Sequence, residues 1–584
     1  MKYSSIPSAQ SLVQHFKGKG IKNIVISPGS RNAPLIIGFS EDPYFKCFSI
    51  VDERCAAFFA LGIAQQLREP VAAICTSGSA LLNYYPAVAE AFYSNIPLIV
   101  ISADRPLYKI DVGDGQTIRQ DYLFEKHIGY STNLKQDVIH AKEKVRKYIP
   151  QYLSKNTIEA IQDEVQKYND GELNTALSAA LRRSQPVHIN IPFEEPLYNT
   201  VSRTTVDAAL VFDAFKDEKP IKEIDSFRSL WGNSKRKMVL VGVNDCDTVE
   251  QDFLNILAKD PSVIVLTETT SNLHHPDFFP SIDSIIAPIE KSENREELFE
   301  ALQPDILLTF GGLIISKKIK AFLRQYKPEH HWHVGSRRAY DTFFSLTHHI
   351  KTSIDYFISE LLGGENKTQS NYFSFWDQTK KAYEHKRKAY IDQISFSDLL
   401  AFHHITKNIP EKYHVQLANS STVRYMQLFD LHSSISVFCN RGTSGIDGST
   451  STAIGASIYS QNPTLLITGD LSFFYDSNGL WNNYLRSDFR IILINNQGGG
   501  IFRILPGQED DSNFENYFET VHKFDARQLC TMHNIEYFNA IDVDSMQLIF
   551  ETFYEDSNRS KLVEIRTPRL LNNKILIGYF DFIS

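Results

Sequence analysis

The sequence predicts an α/β protein built from three doubly wound domains with mainly parallel sheets. Its short apolar runs are continuous rather than alternating, as in strands covered on both faces. Helical patterns separate these runs, which is the order of parallel sheets flanked by helices. At 584 residues the chain exceeds what a single hydrophobic core serves. The expected divisions are 1–196, 197–360 and 361–584.

Taken in order, the first set of strand-like runs is Asn23–Ile26, Val71–Cys75, Leu98–Ile101 and Val187–Ile191. The second is Met238–Val241, Val263–Leu266, Asp305–Phe310 and His331–Val334. The third is Val415–Leu417, Ile435–Phe438, Thr464–Thr468, Ile491–Ile494 and Leu562–Ile565. A polar, proline-punctuated linker is expected near 197–235 and a second near 360–395. The basic run TKKAYEHKRKAYIDQ within the latter reads as a solvated helix face. Residues 133–185 carry the weakest pattern and are expected to be helices on the first sheet.

Hydrophobic content of 42% and charged content of 22% are ordinary for a globular protein. A net charge of −9 argues against nucleic acid as a partner, and acidic ligands would need locally gathered arginines. Six scattered cysteines without paired spacing read as reduced core residues. The opening residues lack a signal-like apolar core and no run has membrane-spanning length. The expectation is a cytoplasmic protein without a membrane partner.

The stretch 465–500 carries the chemistry. Two buried-strand runs end abruptly, one in Gly469-Asp470 and the next in Asn495-Asn496-Gln497-Gly498. In an open parallel sheet, ligands bind beyond the strand C-termini. The Asp470 carboxylate, the Asn496 amide oxygen and a carbonyl freed by Gly498 suit Mg²⁺, a hard cation that keeps phosphate oxygens among its ligands. This arrangement resembles the thiamine-diphosphate signature of Gly-Asp, a long spacer and Asn-Asn, with Leu471 where many relatives have glycine. Such a coenzyme also needs a carboxylate against its aminopyrimidine, because the protein tunes and positions while the cofactor carries the carbanion chemistry. Glu53, in DERCAAFFALGIA (52–64), opens an apolar helix and is the candidate. Burial there would keep its proton shared.

More of the chain joins this resemblance. SPGSRNAPL (27–35), TSGSALLNYYPAVAEA (76–91), ADRP (103–106), GQTIRQ (115–120), PVHINIPFEEPLY (186–198), NRGTSGIDGSTSTAIG (440–455) and GDLSFFYD (469–476) resemble the menaquinone-pathway family of 2-succinyl-5-enolpyruvyl-6-hydroxy-3-cyclohexene-1-carboxylate synthases. The matches lie in the first and third domains, with a short one between. The resemblance implies a thiamine-diphosphate-binding fold, with thiamine diphosphate and Mg²⁺ or Mn²⁺ as cofactors. It implies decarboxylation of 2-oxoglutarate and conjugate addition of the succinyl unit to isochorismate, in at least a homodimer or a homotetramer. Ser30, Arg31, Arg105, Gln116, Ser420, Arg424 and Arg441 match its substrate-contacting positions, and Lys317 and Lys318 match a basic pair from the middle domain. Ile446 matches the apolar prop of the bent cofactor, Gly469, Asp470, Leu471, Asn496 and Gly498 its diphosphate and metal residues, and Ile501, Phe502 and Leu505 an apolar wall. The residues agree with this reading on physical grounds. Both substrates are dianions, and Arg31, Arg105 and Arg441 follow predicted strand ends with Arg424 at a helix start, where a planar fork meets a carboxylate. Ala418 before Asn-Ser and Gln497 after the Asn pair depart from the family pattern and touch fine contacts near the diphosphate.

Three rivals remain at this level. One is another thiamine-diphosphate 2-oxoacid decarboxylase or an acetolactate-type carboligase. A second is a nucleotide-dependent dehydrogenase, opposed by the lack of any G-x-G-x-x-G or Walker motif. A third is a non-catalytic relative, opposed by intact Glu53, Asp470 and Asn496.

Overall fold

A computed structural model describes residues 1–150, 157–212, 220–362, 368–504 and 511–584. Leu505, and parts of both expected linkers and of the 133–185 stretch, lie outside the described residues. Contacts divide the chain into two compact units. The first is Met1–Phe215 with Gly442–Gln461 and Tyr475–Arg486, and the second is Lys216–Arg441 with Asn462–Phe474 and Ser487–Ser584.

In the first unit, β1 (Tyr3–Ser4) starts the chain and the six strands β2 (Asn23–Ile26), β3 (Lys46–Ser49), β4 (Val71–Cys75), β5 (Leu98–Asp104), β6 (Tyr130–Asn133) and β7 (Val187–Pro192) follow. They form one parallel sheet in the order β3-β2-β4-β5-β7-β6. A small antiparallel pairing ties β1 to β8 (Thr200–Val201). Strands β2, β4, β5 and β7 are buried almost throughout, which is why they read as unbroken apolar runs.

The second unit holds two sheets. One contains β9 (Lys237–Val241), β10 (Val263–Leu266), β11 (Ile306–Phe310), β12 (His330–Val334) and β13 (His348–Ile350), in the order β10-β9-β11-β12-β13, all parallel. The other contains β14 (His414–Leu417), β15 (Ser436–Cys439), β16 (Thr464–Gly469), β17 (Arg490–Asn495), β18 (Glu536–Ala540) and β19 (Lys561–Arg566), in the order β15-β14-β16-β17-β19-β18, also parallel. The two six-stranded sheets therefore share one topology. In each, the chain reverses direction of progress beside its first strand, between β2 and β4 or between β14 and β16. That switch point opens the ligand crevice of a doubly wound sheet. In the five-stranded sheet the corresponding place, between β9 and β11, is filled. The Gly312 N–H donates to the Val243 carbonyl at 2.6 Å, and the Gly242 N–H donates to that of Phe310 at 3.0 Å. No helix among the described residues is long and apolar enough to cross a membrane.

The expected strands are present with ends shifted by a few residues at most. The unexpected ones, β1, β3, β6, β8, β13 and β18, are edge strands or the small pairing. The helix Glu53–Leu67 starts as read. Its N-cap Asp52 accepts from the Cys55 amide at 3.1 Å, and Arg68 ends it in the left-handed region at φ 55°. Every residue from Cys55 to Ala64 is buried. The helix Ser449–Ser457, buried along its whole length, lies against it in the same unit, with Gly62 and Gly455 allowing backbone to meet backbone.

Candidate active site

At the switch point of the third sheet, β14 leads through Ala418 and Asn419 to Ser420, and β16 ends on Asp470. Ser420 takes φ 70° and caps the helix Ser421–Met426, which carries Arg424. Asp470 is 3% exposed and accepts from the Leu471 amide at 2.7 Å through Oδ1. Its Oδ2 accepts from the Gly498 amide at 2.9 Å, so the loops after β16 and β17 converge. Asn496 is 8% exposed, and its Nδ2 donates to Asp398 Oδ2 at 2.9 Å. That bond decides which way the amide faces: the nitrogen is engaged, leaving the oxygen for a cation. Gly498 adopts φ 149°, and a Cβ there would stand 2.7 Å from the Glu519 carbonyl oxygen. One carboxylate, one oriented amide oxygen and one glycine carbonyl make an all-oxygen donor set of the kind Mg²⁺ and Mn²⁺ take. These residues fit a metal-diphosphate group.

The same loop continues through the short turn Gly500–Ile504, which includes Ile501 and Phe502. Arg503 pins it by a two-pronged bond to the buried Glu519, both contacts at 2.6 Å. Phe502 packs edge-on against Phe518 at a centroid distance of 6.2 Å.

Glu53, in the other unit, is half-buried at the first position of its helix. Its carboxylate has no hydrogen-bond partner among the described residues. The thiol of Cys75 and the hydroxyl of Tyr84 lie close to it. Both are fully buried, and burial, aided by the Glu53 charge, pushes their pKa values well up. An open carboxylate beside neutral groups suits a hydrogen bond to a heteroaromatic ring. Ile446 sits in the Gly442–Gly448 loop of this unit. That loop is anchored on the buried Glu90, which accepts from the Gly442 amide at 2.7 Å and the Thr443 amide at 2.6 Å. Ile446 itself is 39% exposed, so it lies at the surface of this unit rather than in its core.

The cations form two sets. In the first unit Arg31, 6% exposed, donates to the Phe193 carbonyl at 3.0 Å and to Glu195 at 3.2 Å. Its buried Nε has no acceptor among the described residues. Arg105 donates to Ser77 Oγ and, at 3.3 Å, to the Gln116 carbonyl. Burial, and then the neighbouring charge of Arg31, lowers its pKa, so the two guanidiniums share one neighbourhood. Gln116 is exposed at φ 56°, and Ser30 is exposed in the turn after β2. In the second unit Arg441 donates to Asn419 Oδ1 at 2.6 Å, and burial followed by the Arg441 charge lowers the pKa of Arg424. Lys317 is exposed at its helix start, and the Lys318 ammonium is held by Glu290.

Comparison with known proteins agrees with this chemistry. Residues 8–126 match the thiamine pyrophosphate enzyme N-terminal TPP-binding domain, and residues 221–416 match the middle domain of thiamine pyrophosphate enzymes. Proteins named 2-succinyl-5-enolpyruvyl-6-hydroxy-3-cyclohexene-1-carboxylate synthase are similar over full length. That of Christiangramia forsetii is 53% identical across 100% of both chains, and that of Flavobacterium johnsoniae 50% across 100% of both. That of Porphyromonas gingivalis is 37% identical over 100% of this chain and 98% of its own. The chain belongs to this synthase family.

Set against that family, three acids escaped the sequence reading. Asp398 orients Asn496 and also accepts from the Thr567 hydroxyl at 2.5 Å. Burial raises its pKa to about 6. Glu90 holds the Ile446 loop. Glu268 is wholly buried after β10 and accepts from the amides of Ile315 and Ser316 at 2.7–2.9 Å, and burial raises it to about 7. Each acts across more than forty positions of sequence. Only Asp398, following the helix-capping Ser397, left a local trace.

Proposed function

We propose that the chain is a transferase that decarboxylates 2-oxoglutarate and joins the succinyl unit to isochorismate by conjugate addition. The product is 2-succinyl-5-enolpyruvyl-6-hydroxy-3-cyclohexene-1-carboxylate, formed with thiamine diphosphate and Mg²⁺ or Mn²⁺ in menaquinone biosynthesis. The observation that carries the reading is the oxygen trio of Asp470, Asn496 and Gly498, with the amide oriented by Asp398. Thiamine diphosphate, when bound, supplies the electron sink for the charge left by departing carbon dioxide. On this reading residues 361–584 hold the diphosphate and metal, 1–196 the pyrimidine, and 197–360 form the domain between them in sequence.

Glu53 accepts and returns the proton shared with the aminopyrimidine. Ile446 supports the coenzyme's bent shape, with Gly469 and Leu471 beside the diphosphate. Ile501 and Phe502 keep water from the reacting carbon, and a water-poor environment favours a charge-dispersing decarboxylation. Arg31, Arg105 and Gln116 with Ser30 form one anion-binding set, and Ser420, Arg424 and Arg441 form another. Two dianions held by a net-negative protein require such focused charge. The enzyme works as a homodimer or homotetramer in the cytoplasm.

The test is an assay of 2-oxoglutarate with isochorismate, omitting Mg²⁺ and thiamine diphosphate in turn, on wild type and Glu53→Gln. The wild type turns over only with both present. Glu53→Gln loses nearly all turnover yet still binds the coenzyme through Mg²⁺. Undiminished turnover in the variant removes the role given to Glu53, and turnover of pyruvate in preference to 2-oxoglutarate replaces the reading by an acetolactate-type one.

A further inference from the structure

The carboxyl ends of β5 and β7 carry a chain of buried polar side chains to which no role has been given above. Ser102 in β5, His188 and Asn190 in β7, and Gln120 from the loop after β5 are each at most 6% exposed. The bonds among them run in one direction. His188 Nε2 stands 2.8 Å from the Ser102 hydroxyl, which donates to Asn190 Oδ1 at 2.8 Å. The same Oδ1 accepts from Gln120 Nε2 at 2.9 Å. Asn190 therefore turns its Nδ2 the other way and donates to Asp104 Oδ2 at 2.9 Å. Gln120 likewise turns its Oε1 towards Gly78 and accepts from that amide at 2.8 Å. Each side-chain amide has both ends engaged, so neither can flip without losing bonds at both.

The chain ends at the backbone that carries Arg105 and Arg31. Asp104 Oδ1 accepts from the Arg105 amide at 2.7 Å. The Asp104 carbonyl accepts from the Phe193 amide at 3.0 Å, and the Phe193 carbonyl accepts from Arg31 Nη1 at 3.0 Å. At the other end Gly78 takes φ 86°, and a Cβ there would lie 3.1 Å from the Gln116 carbonyl oxygen. That oxygen and the hydroxyl of Ser77, the residue before Gly78, both accept from the Arg105 guanidinium.

We propose that Gln120 and Asn190 are positioning residues for the reaction, holding the backbone at Gly78 and Asp104 so that Arg105, and through Phe193 also Arg31, are aimed at a substrate carboxylate. The proposal rests on the functional reading above and adds to it two buried amides that act through the arginines.

Stability alone does not call for such a chain. A buried hydrogen bond contributes only modestly in net terms, and apolar side chains of the same shape replace a satisfied polar pair at little loss. A fully satisfied chain supplies a single arrangement instead. Arg105 has need of one, because the oxygens it donates to lie in loops rather than in the sheet. A guanidinium fork meets both oxygens of a carboxylate only when its plane is set, so loosening the loops weakens binding before it alters the chemistry.

The experiment uses full-length holoenzyme carrying Gln120→Met, Ser102→Ala or Thr132→Val. Gln120→Met keeps the side chain's length and removes its bonds, and Ser102→Ala removes only the hydroxyl that orients Asn190. Thr132 is the control, buried in β6 with a hydroxyl that has no hydrogen-bond partner among the described residues. KM and kcat are measured for 2-oxoglutarate and isochorismate, and equilibrium binding of each is measured calorimetrically in the Glu53→Gln background, where turnover does not interfere. Affinity for thiamine diphosphate with Mg²⁺ is measured alongside. Gln120→Met is expected to weaken binding and raise KM for one of the two dianions roughly tenfold, and Ser102→Ala to do so about threefold for the same one. In both, kcat falls by a smaller factor and coenzyme affinity holds, while Thr132→Val behaves as wild type. Unchanged affinity for both dianions overturns the proposal, as does a parallel fall of coenzyme affinity and kcat, the mark of a merely structural role. Should Gln120→Met not fold, Ser102→Ala decides the matter by the same criteria. If wild type turns over neither compound, the functional reading falls. A dicarboxylate affinity that drops in Gln120→Met or Ser102→Ala then still upholds the positioning role, and the lack of any such drop ends it.

Discussion

The contact between the Glu53 helix and the helix Ser449–Ser457 gives the sharpest prediction. A Cβ added at Gly62 would fall on the Thr452 carbonyl oxygen and lie 2.8 Å from the Ala456 amide nitrogen. From the other side, a Cβ at Gly455 would fall on the Phe59 carbonyl oxygen and lie 2.8 Å from its carbon. These obstacles are backbone and cannot rotate away. In Gly62→Ala the helices must part by about 1 Å, which forfeits a quarter to a half of the dispersion attraction of each atom pair on the seam. Overpacking of this kind costs about 3 kcal/mol, whereas exchanging a mid-helix glycine for alanine returns about 1 kcal/mol. The net loss of roughly 2 kcal/mol lowers the melting temperature by about 4–8 °C for a unit of this size. Because the same helix begins with Glu53, a shift of about 1 Å also lowers kcat by around a hundredfold. Gly171, exposed within the helix Ile158–Arg183 with nothing within 4 Å of its would-be Cβ, provides the control. Gly171→Ala should raise the melting temperature slightly and leave kcat alone. The assay is thermal unfolding by circular dichroism alongside turnover. If Gly62→Ala behaves like Gly171→Ala, the close backbone contact does not exist and the reasoning fails.

Other perturbations read other parts of the site. Asp398→Asn lets the new carboxamide face Asn496 in either sense, so Mg²⁺ affinity, titrated by coenzyme-dependent tryptophan quenching, should fall about 10- to 100-fold. Unaltered affinity would show that Asp398 does not orient the ligand. Gly498→Ala forces a side chain towards the Glu519 carbonyl at a φ that L-residues rarely adopt, and should weaken metal binding while far-ultraviolet circular dichroism stays the same; intact binding would refute the carbonyl's role. His188, buried in β7 with Nε2 2.8 Å from Ser102 Oγ, has its pKa lowered by burial from 6.5 to about 3. On acidification the unfolded chain takes this proton first, so stability is present above pH 6.5 and is lost as pH falls towards 3, by about 3 kcal/mol at pH 4.5. His188→Gln should flatten that acid limb in urea titrations run at successive pH values, and an unchanged slope would place the acid sensitivity elsewhere.

What the sequence determined by itself was whatever is written locally. Strands covered on both faces, such as β4, β5, β16 and β17, announce themselves as apolar runs, because burial on two sides removes the alternation. Strands β3, β6, β13 and β18 did not, since most of their residues keep contact with water and their composition stays mixed, whereas the edge strand β10 is buried throughout and reads as an apolar run. The Gly469-Asp470 and Asn495-Asn496 turns were legible for a related reason: a strand that stops at a binding crevice ends in residues chosen for the ligand rather than for packing. Tertiary structure alone decided the supports. Asp398 fixes the face Asn496 presents, Glu90 ties down the Ile446 loop, and Glu268 holds the start of the Lys317–Gln325 helix. Each of these acids meets its partners only after distant segments fold together, and a hydrogen bond between residues far apart in sequence leaves no periodicity to read. The order of strands, which puts Ser420 beside Asp470 at the switch point, is likewise a property of the folded sheet, because pairing depends on which runs find each other and not on what any run contains.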